Sequence, residues 1–146
     1  MSEPDAYPVE GTIAPARHQS GCLSVVGNLL WLIFAGWELA LGYLFSAVIM
    51  FVFIITIPFG VQSLKLAWYS LWPFGRTIVP DPDRSHSMSM VGNVLWIVLC
   101  GWWLALAHFV AGVLLLITIV GIPFGIQAFK LGVLALWPFG RRIVPA

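Results

Sequence analysis

Apolar residues run almost unbroken from Val25 to Ile57 and again from Met90 to Ile122, and each run meets a proline, Pro58 or Pro123. The first run carries one charge, Glu38. As a single straight helix it would extend about 50 Å at ~1.5 Å per residue. The hydrocarbon core of a bilayer is only about 30 Å thick. One upright crossing leaves residues over, and two crossings need residues from beyond the proline. The pattern therefore predicts a hairpin: a helix over 25–42, a turn near Gly42-Tyr43, and a second helix over roughly 44–64. The matching turn in the second run falls near Ala107-His108. Pro58 with Gly60, and Pro123 with Gly125, are the expected helix breaks, kinking each second helix near its inner end. The next stretch, "LAWYSLWPFGR", is rich in Trp and Tyr, which favour the headgroup layer. It predicts a short interfacial helix over 66–72, stopped by Pro73 and Gly75.

The pattern is written twice. Residues 25–80 align with 90–145 at a constant offset, without a gap, and 28 of the 56 positions are identical. This is an internal duplication. Apolar filler differs between the copies, as in Phe51 against Leu116. The shared residues include Gly27/Gly92, Asn28/Asn93, Trp31/Trp96 and Gly36/Gly101. They also include Pro58/Pro123, Gln62/Gln127, Lys65/Lys130, Trp72/Trp137, Gly75/Gly140 and Arg76/Arg141. The chain divides into a polar tail (1–24), a membrane repeat (25–80), a polar linker (81–89) and a second repeat (90–146). The tail is read as disordered and cytoplasmic because it has little to bury. It lacks the basic, apolar and small-residue succession of a secretory signal.

Composition agrees with a bilayer. Apolar residues make up 60%, charged residues 9%, and mean hydropathy is +0.96. Soluble domains average roughly 45–50% apolar and about 25% charged. The fold class expected is an all-α integral membrane protein of two tandem helical-hairpin repeats. It has about four transmembrane helices, with short interfacial helices on the cytoplasmic side. Both repeats end in arginine, and the positive-inside bias prefers those ends in the cytoplasm. An even number of crossings per repeat follows, with both termini cytoplasmic. The alternative is one long tilted helix per repeat plus a re-entrant segment, which gives inverted copies.

Few residues can carry chemistry. Glu38, paired with Trp103 in the other repeat, is an ionisable group at depth and by default a functional suspect. The expected turn would also let it reach outer water. Asn28 and Trp31, like Asn93 and Trp96, share a helix face. Each asparagine is either a staple between helices or part of a polar lining. Gln62 with Lys65, and Gln127 with Lys130, line an inner vestibule or snorkel at the lipid surface. Lys65, Lys130, Trp72, Trp137, Arg76 and Arg141 are the expected interfacial anchors. His108 is read as interfacial, near the outer turn. Cys22 and Cys100 lie at different depths and are not expected to pair. No zinc, P-loop or nucleophile-elbow motif is present. No catalytic residue, metal site or cofactor is expected, and no basic-aromatic patch for nucleic acid.

The residues "GWWLALAHFVAG" and "IPFGIQAFKLGVLALWPFGRR", with their counterparts in the first repeat, resemble the YccF family of bacterial inner-membrane proteins. The resemblance covers all but the tail and linker. It implies a multi-pass inner-membrane protein built from two YccF-type domains and brings no catalytic residue with it. The first repeat departs from the pattern at Glu38. Two functions stay open. One is a homo-oligomeric channel or transporter-like permeation protein for small ions or solutes. Asn28, Asn93, Gln62, Gln127 and Glu38 would then be its polar lining. The other is a non-enzymatic scaffold or accessory subunit that binds another membrane protein or lipid. The partners expected are the bilayer and further copies of the chain, with a membrane-protein partner under the second reading.

Overall fold

Proline ends neither apolar run by kinking it. The computed structural model describes residues 21–146, and most of the expected tail lies outside them. Helix α1 runs without a turn through Cys22–Val52 and α3 through His86–Leu116, 31 residues each. At ~1.5 Å per residue each is about 46 Å long. Both are long and apolar enough to cross a membrane. The return helices are shorter: α2 spans Ile57–Leu71 and α4 spans Ile122–Leu136. The four helices thus make two tandem hairpins.

The turn expected at Gly42-Tyr43 and Ala107-His108 lies inside α1 and α3, and the helix over 25–42 continues for ten more residues. Nothing in those dipeptides breaks a helix, so the chain stays helical until a breaker arrives. In the first hairpin Phe53 is extended, at φ −108 and ψ 124, and one 3-10 turn follows at Ile54–Thr56. Pro58 and Pro123 sit in the first turn of the return helices. There a missing N–H leaves no bond unmade, and the fixed φ is already helical. They start helices instead of bending them.

Residues 66–71 continue α2, so the aromatic stretch is not a separate stub. Beyond the Trp-Pro-Phe-Gly turns the chain is extended, not helical. Strand β1, Arg76–Pro80, pairs antiparallel with β2, Arg141–Pro145.

In that ribbon Ile78 lies opposite Ile143, its own counterpart in the other repeat. The rings of Tyr43 and His108, also counterparts, meet at 5.5 Å between α1 and α3. A local two-fold axis passes through both places. The hairpins run in opposite senses about it. Phe59, at the start of α2, packs on Phe139 at the base of the other hairpin. Phe124 packs on Phe74 in the same way. The arrangement joins the hairpin of one expected topology to the long first helix of the other.

Candidate functional site

The residues that both repeats keep build a clasp at the base of each hairpin. Trp72 precedes a proline and is pushed out of the helical region, to φ −139 and ψ 68, which ends α2. Pro73 and Phe74 then lead to Gly75, whose φ of 82 no β-carbon tolerates well. This turn leaves the peptide groups of Phe74 without helical partners, and Asn28 supplies them. Its Nδ2 donates to the Phe74 carbonyl at 3.0 Å, and its Oδ1 accepts from the Phe74 N–H at 2.9 Å. Asn93 repeats this on Phe139 at 3.1 and 2.8 Å. Both asparagines are fully buried.

One turn further on, the Trp31 indole N–H donates to the Ser70 carbonyl at 2.7 Å, and Trp96 to the Ala135 carbonyl at 2.6 Å. These carbonyls belong to the last turn of the return helix, where no intrahelical donor remains. Each indole reaches them by folding over Gly36 or Gly101, at the end of a π-helical segment, Leu32–Gly36 or Ile97–Gly101. A β-carbon on Gly101 would stand 2.6 Å from the Trp96 ring, and one on Gly36 2.7 Å from Trp31. The shared role of the two glycines is to admit an indole five residues earlier in the same helix.

The two glutamines join the hairpins to each other. Gln62 Nε2 donates across the two-fold to the Pro138 carbonyl at 3.4 Å, a long bond. Gln127 lies near the Tyr69 hydroxyl of the first repeat. Of the four amides taken as a candidate lining, Asn28, Asn93 and Gln62 are each hydrogen-bonded to backbone and none of them to another.

Glu38 is not one turn from the hairpin tip. It lies midway along α1, exposed, on the wall of an otherwise apolar groove of about 690 Å³ between the hairpins. Trp103, its counterpart, lines the same groove. His108 is not interfacial either. It is buried, and its Nδ1 lies 2.8 Å from the Leu104 carbonyl, which fixes the proton on that nitrogen. Neither His108 Nε2 nor the facing Tyr43 hydroxyl has a hydrogen-bond partner among the described residues. Cys22 is exposed, Cys100 buried, and both are free thiols.

Of the expected anchors, Lys65, Arg76 and Arg141 line one groove beside the ribbon, and Lys130 is exposed elsewhere on α4. Trp72 is half-buried and Trp137 more open, both at the ends of return helices. Arg84 and Arg142 join the first three, a grouping the sequence could not give without the strand pairing.

Buried polar clasps inside two apolar hairpins define a membrane protein of duplicated design. The comparisons narrow that class. The model of an inner membrane component domain, YccF, matches residues 26–76 and 91–141. The inner membrane protein YccF of Escherichia coli is 33% identical over 130 residues, 84% of this chain and 88% of that one. The protein of the same name in Shigella flexneri matches to the same extent. The chain belongs to the YccF family, in two tandem domains, and is an inner membrane protein. No solved structure matches it.

Proposed function

We propose that the protein is a non-enzymatic scaffold or accessory subunit embedded in the inner membrane. The observation that carries this reading is the fate of its polar groups. Three of the four amides shared by both repeats are spent on the clasps and on the seam between hairpins, so the repeated residues maintain a shape. Apart from charges such as Glu38 and Lys130, what remains on the helix surfaces is mostly apolar and suits lipid or an apolar partner.

The same reading orients the molecule, with the two-fold axis along the bilayer normal and the ribbon at the cytoplasmic surface. Five of the six Lys and Arg among the described residues line the groove at the ribbon. An axis in the membrane plane would press that ribbon into hydrocarbon, where each unpaired charge is costly. With the ribbon at the surface, both hairpins dip in from one side and return to it.

A second reading has one observation in its favour. Glu38 stands exposed at mid-length in an apolar groove, and a carboxylate so placed wants a partner. In a homo-oligomeric permeation protein, copies of Glu38 would supply a polar path. Solute flux in sealed liposomes, with small cations and anions, separates the two. The scaffold reading expects no flux above empty liposomes from folded wild type. Flux that Glu38→Gln abolishes or makes unselective would overturn it in favour of a pore.

A further inference from the structure

Lys65, Arg76, Arg84, Arg141 and Arg142 converge on one groove of about 780 Å³ between α2 and the ribbon, with Asp81 as the single carboxylate on its wall. The Arg84–Asp81 pair is loose, at 3.9 Å, with Arg84 half exposed. One carboxylate leaves most of this charge uncompensated. Four of the five cations are guanidinium groups, whose planar forks match the oxygens of a phosphate in pairs. Trp68 lines the same groove and is 66% exposed. A large exposed indole beside such charges belongs at the headgroup level of a bilayer.

The duplication sharpens the point, because it does not yield a second groove of this kind. The counterparts of Trp68 and Tyr69 are Val133 and Leu134, that of Arg142 is Thr77, and Arg84 lies in the linker with no counterpart at all. Lys130 matches Lys65 yet stands outside the cluster. Arg84, Arg142 and Trp68, which the other copy does not match, thus add to the shared Lys65, Arg76 and Arg141 at one pole of a near-symmetric molecule. The clasp has no use for the cationic side chains or for Trp68, and none of these belongs to the apolar core.

We propose that this groove binds a phosphate-bearing anion, and that its source is the headgroup of an anionic phospholipid in the adjoining leaflet. The inference goes beyond the function proposed above, since it holds for a scaffold and for a pore alike.

The test uses the full-length protein released from mixed micelles of phosphatidylcholine and phosphatidylglycerol, with retained lipids counted by native mass spectrometry. The wild type is expected to retain phosphatidylglycerol about tenfold over phosphatidylcholine. The double substitution Arg141→Gln with Arg142→Gln is expected to lose most of that preference, and Lys130→Gln none of it. Arg84→Gln, in the linker, reads the same groove without touching the ribbon and is expected to weaken retention by roughly fivefold. Inorganic phosphate in excess distinguishes the sources. Failure to displace the lipid supports a headgroup site. Full displacement, together with phosphate binding in lipid-free detergent, would overturn the lipid assignment. Equal retention of both lipids, or the same loss from Lys130→Gln, would overturn the site itself.

Discussion

The side-chain amide of Asn28 has the donor and the acceptor of a peptide unit, and it meets Phe74 as one strand residue meets another. In a hydrocarbon environment that matters more than in water, since no solvent can replace either bond. Asn93→Leu removes both partners from Phe139 and leaves a buried N–H and C=O. It is expected to cost about 2–4 kcal/mol, read as a shift in unfolding in mixed micelles. Gly101→Ala tests the neighbouring element of the clasp. Its β-carbon would displace the Trp96 indole from the Ala135 carbonyl, so it is expected to cost about 1–3 kcal/mol by the same assay. A native-like midpoint in Gly101→Ala would show that the close approach is dispensable. At this scale the sequence was informative. Two copies that keep Asn and Trp three residues apart pointed to a shared contact on one helix face. The partner stayed hidden, because it is a backbone unit 46 positions away and backbone has no letter of its own.

At the scale of elements, the hairpin turned where its breakers stand. Phe53 and Thr56 close the tip of the first hairpin, the threonine hydroxyl donating to the carbonyls of Met50 and Phe53. Thr118 does comparable work in the second, accepting from the Gly121 N–H at 3.1 Å. Pro58→Ala is therefore expected to change stability by less than about 1 kcal/mol and to leave helicity, read by circular dichroism, unaltered. A large gain in helicity would mean that the proline does interrupt a helix. The two helices per repeat were legible from the length of each apolar run, too long for one upright crossing of a core about 30 Å thick. The turn was misplaced because two helices of equal length were assumed. A 46 Å helix beside a return helix of about 22 Å also satisfies the apolar pattern. The strands were not legible. Five residues after a glycine carry no alternation strong enough to predict pairing with a segment 65 positions later.

For the whole molecule, the tips decide depth. Ile54 and Ile55 are 84% and 88% exposed, and Ile119 is 87% exposed, with no charge near them in sequence. Such residues are costly in water, and hydrocarbon removes the cost at about 25 cal/mol per Å² of apolar surface. In the orientation proposed above, with the ribbon at the cytoplasmic surface, neither tip is expected to emerge on the far side. Ile55→Cys and Ile119→Cys, in a background with Cys22 and Cys100 replaced by serine, are expected to resist a membrane-impermeant maleimide added from either side. Ser87→Cys, in the exposed first turn of α3, is expected to react from the cytoplasmic side alone. Labelling of the tips from the periplasm would mean full crossings and would place the hairpins upright.

Ile78 opposite Ile143 has one more consequence. Where a residue meets its own counterpart across a two-fold, one repeat contains both halves of the contact. A single repeat would accordingly be self-complementary and would pair with a second copy, as the subunits of a cyclic dimer do. Its stability would then depend on how many copies the membrane held. Tethering the two by residues 81–85 makes the partner permanent and removes that dependence. It also frees each half to diverge from the other. A substitution in a symmetric dimer appears twice, whereas Glu38 faces Trp103 in the same groove and appears once.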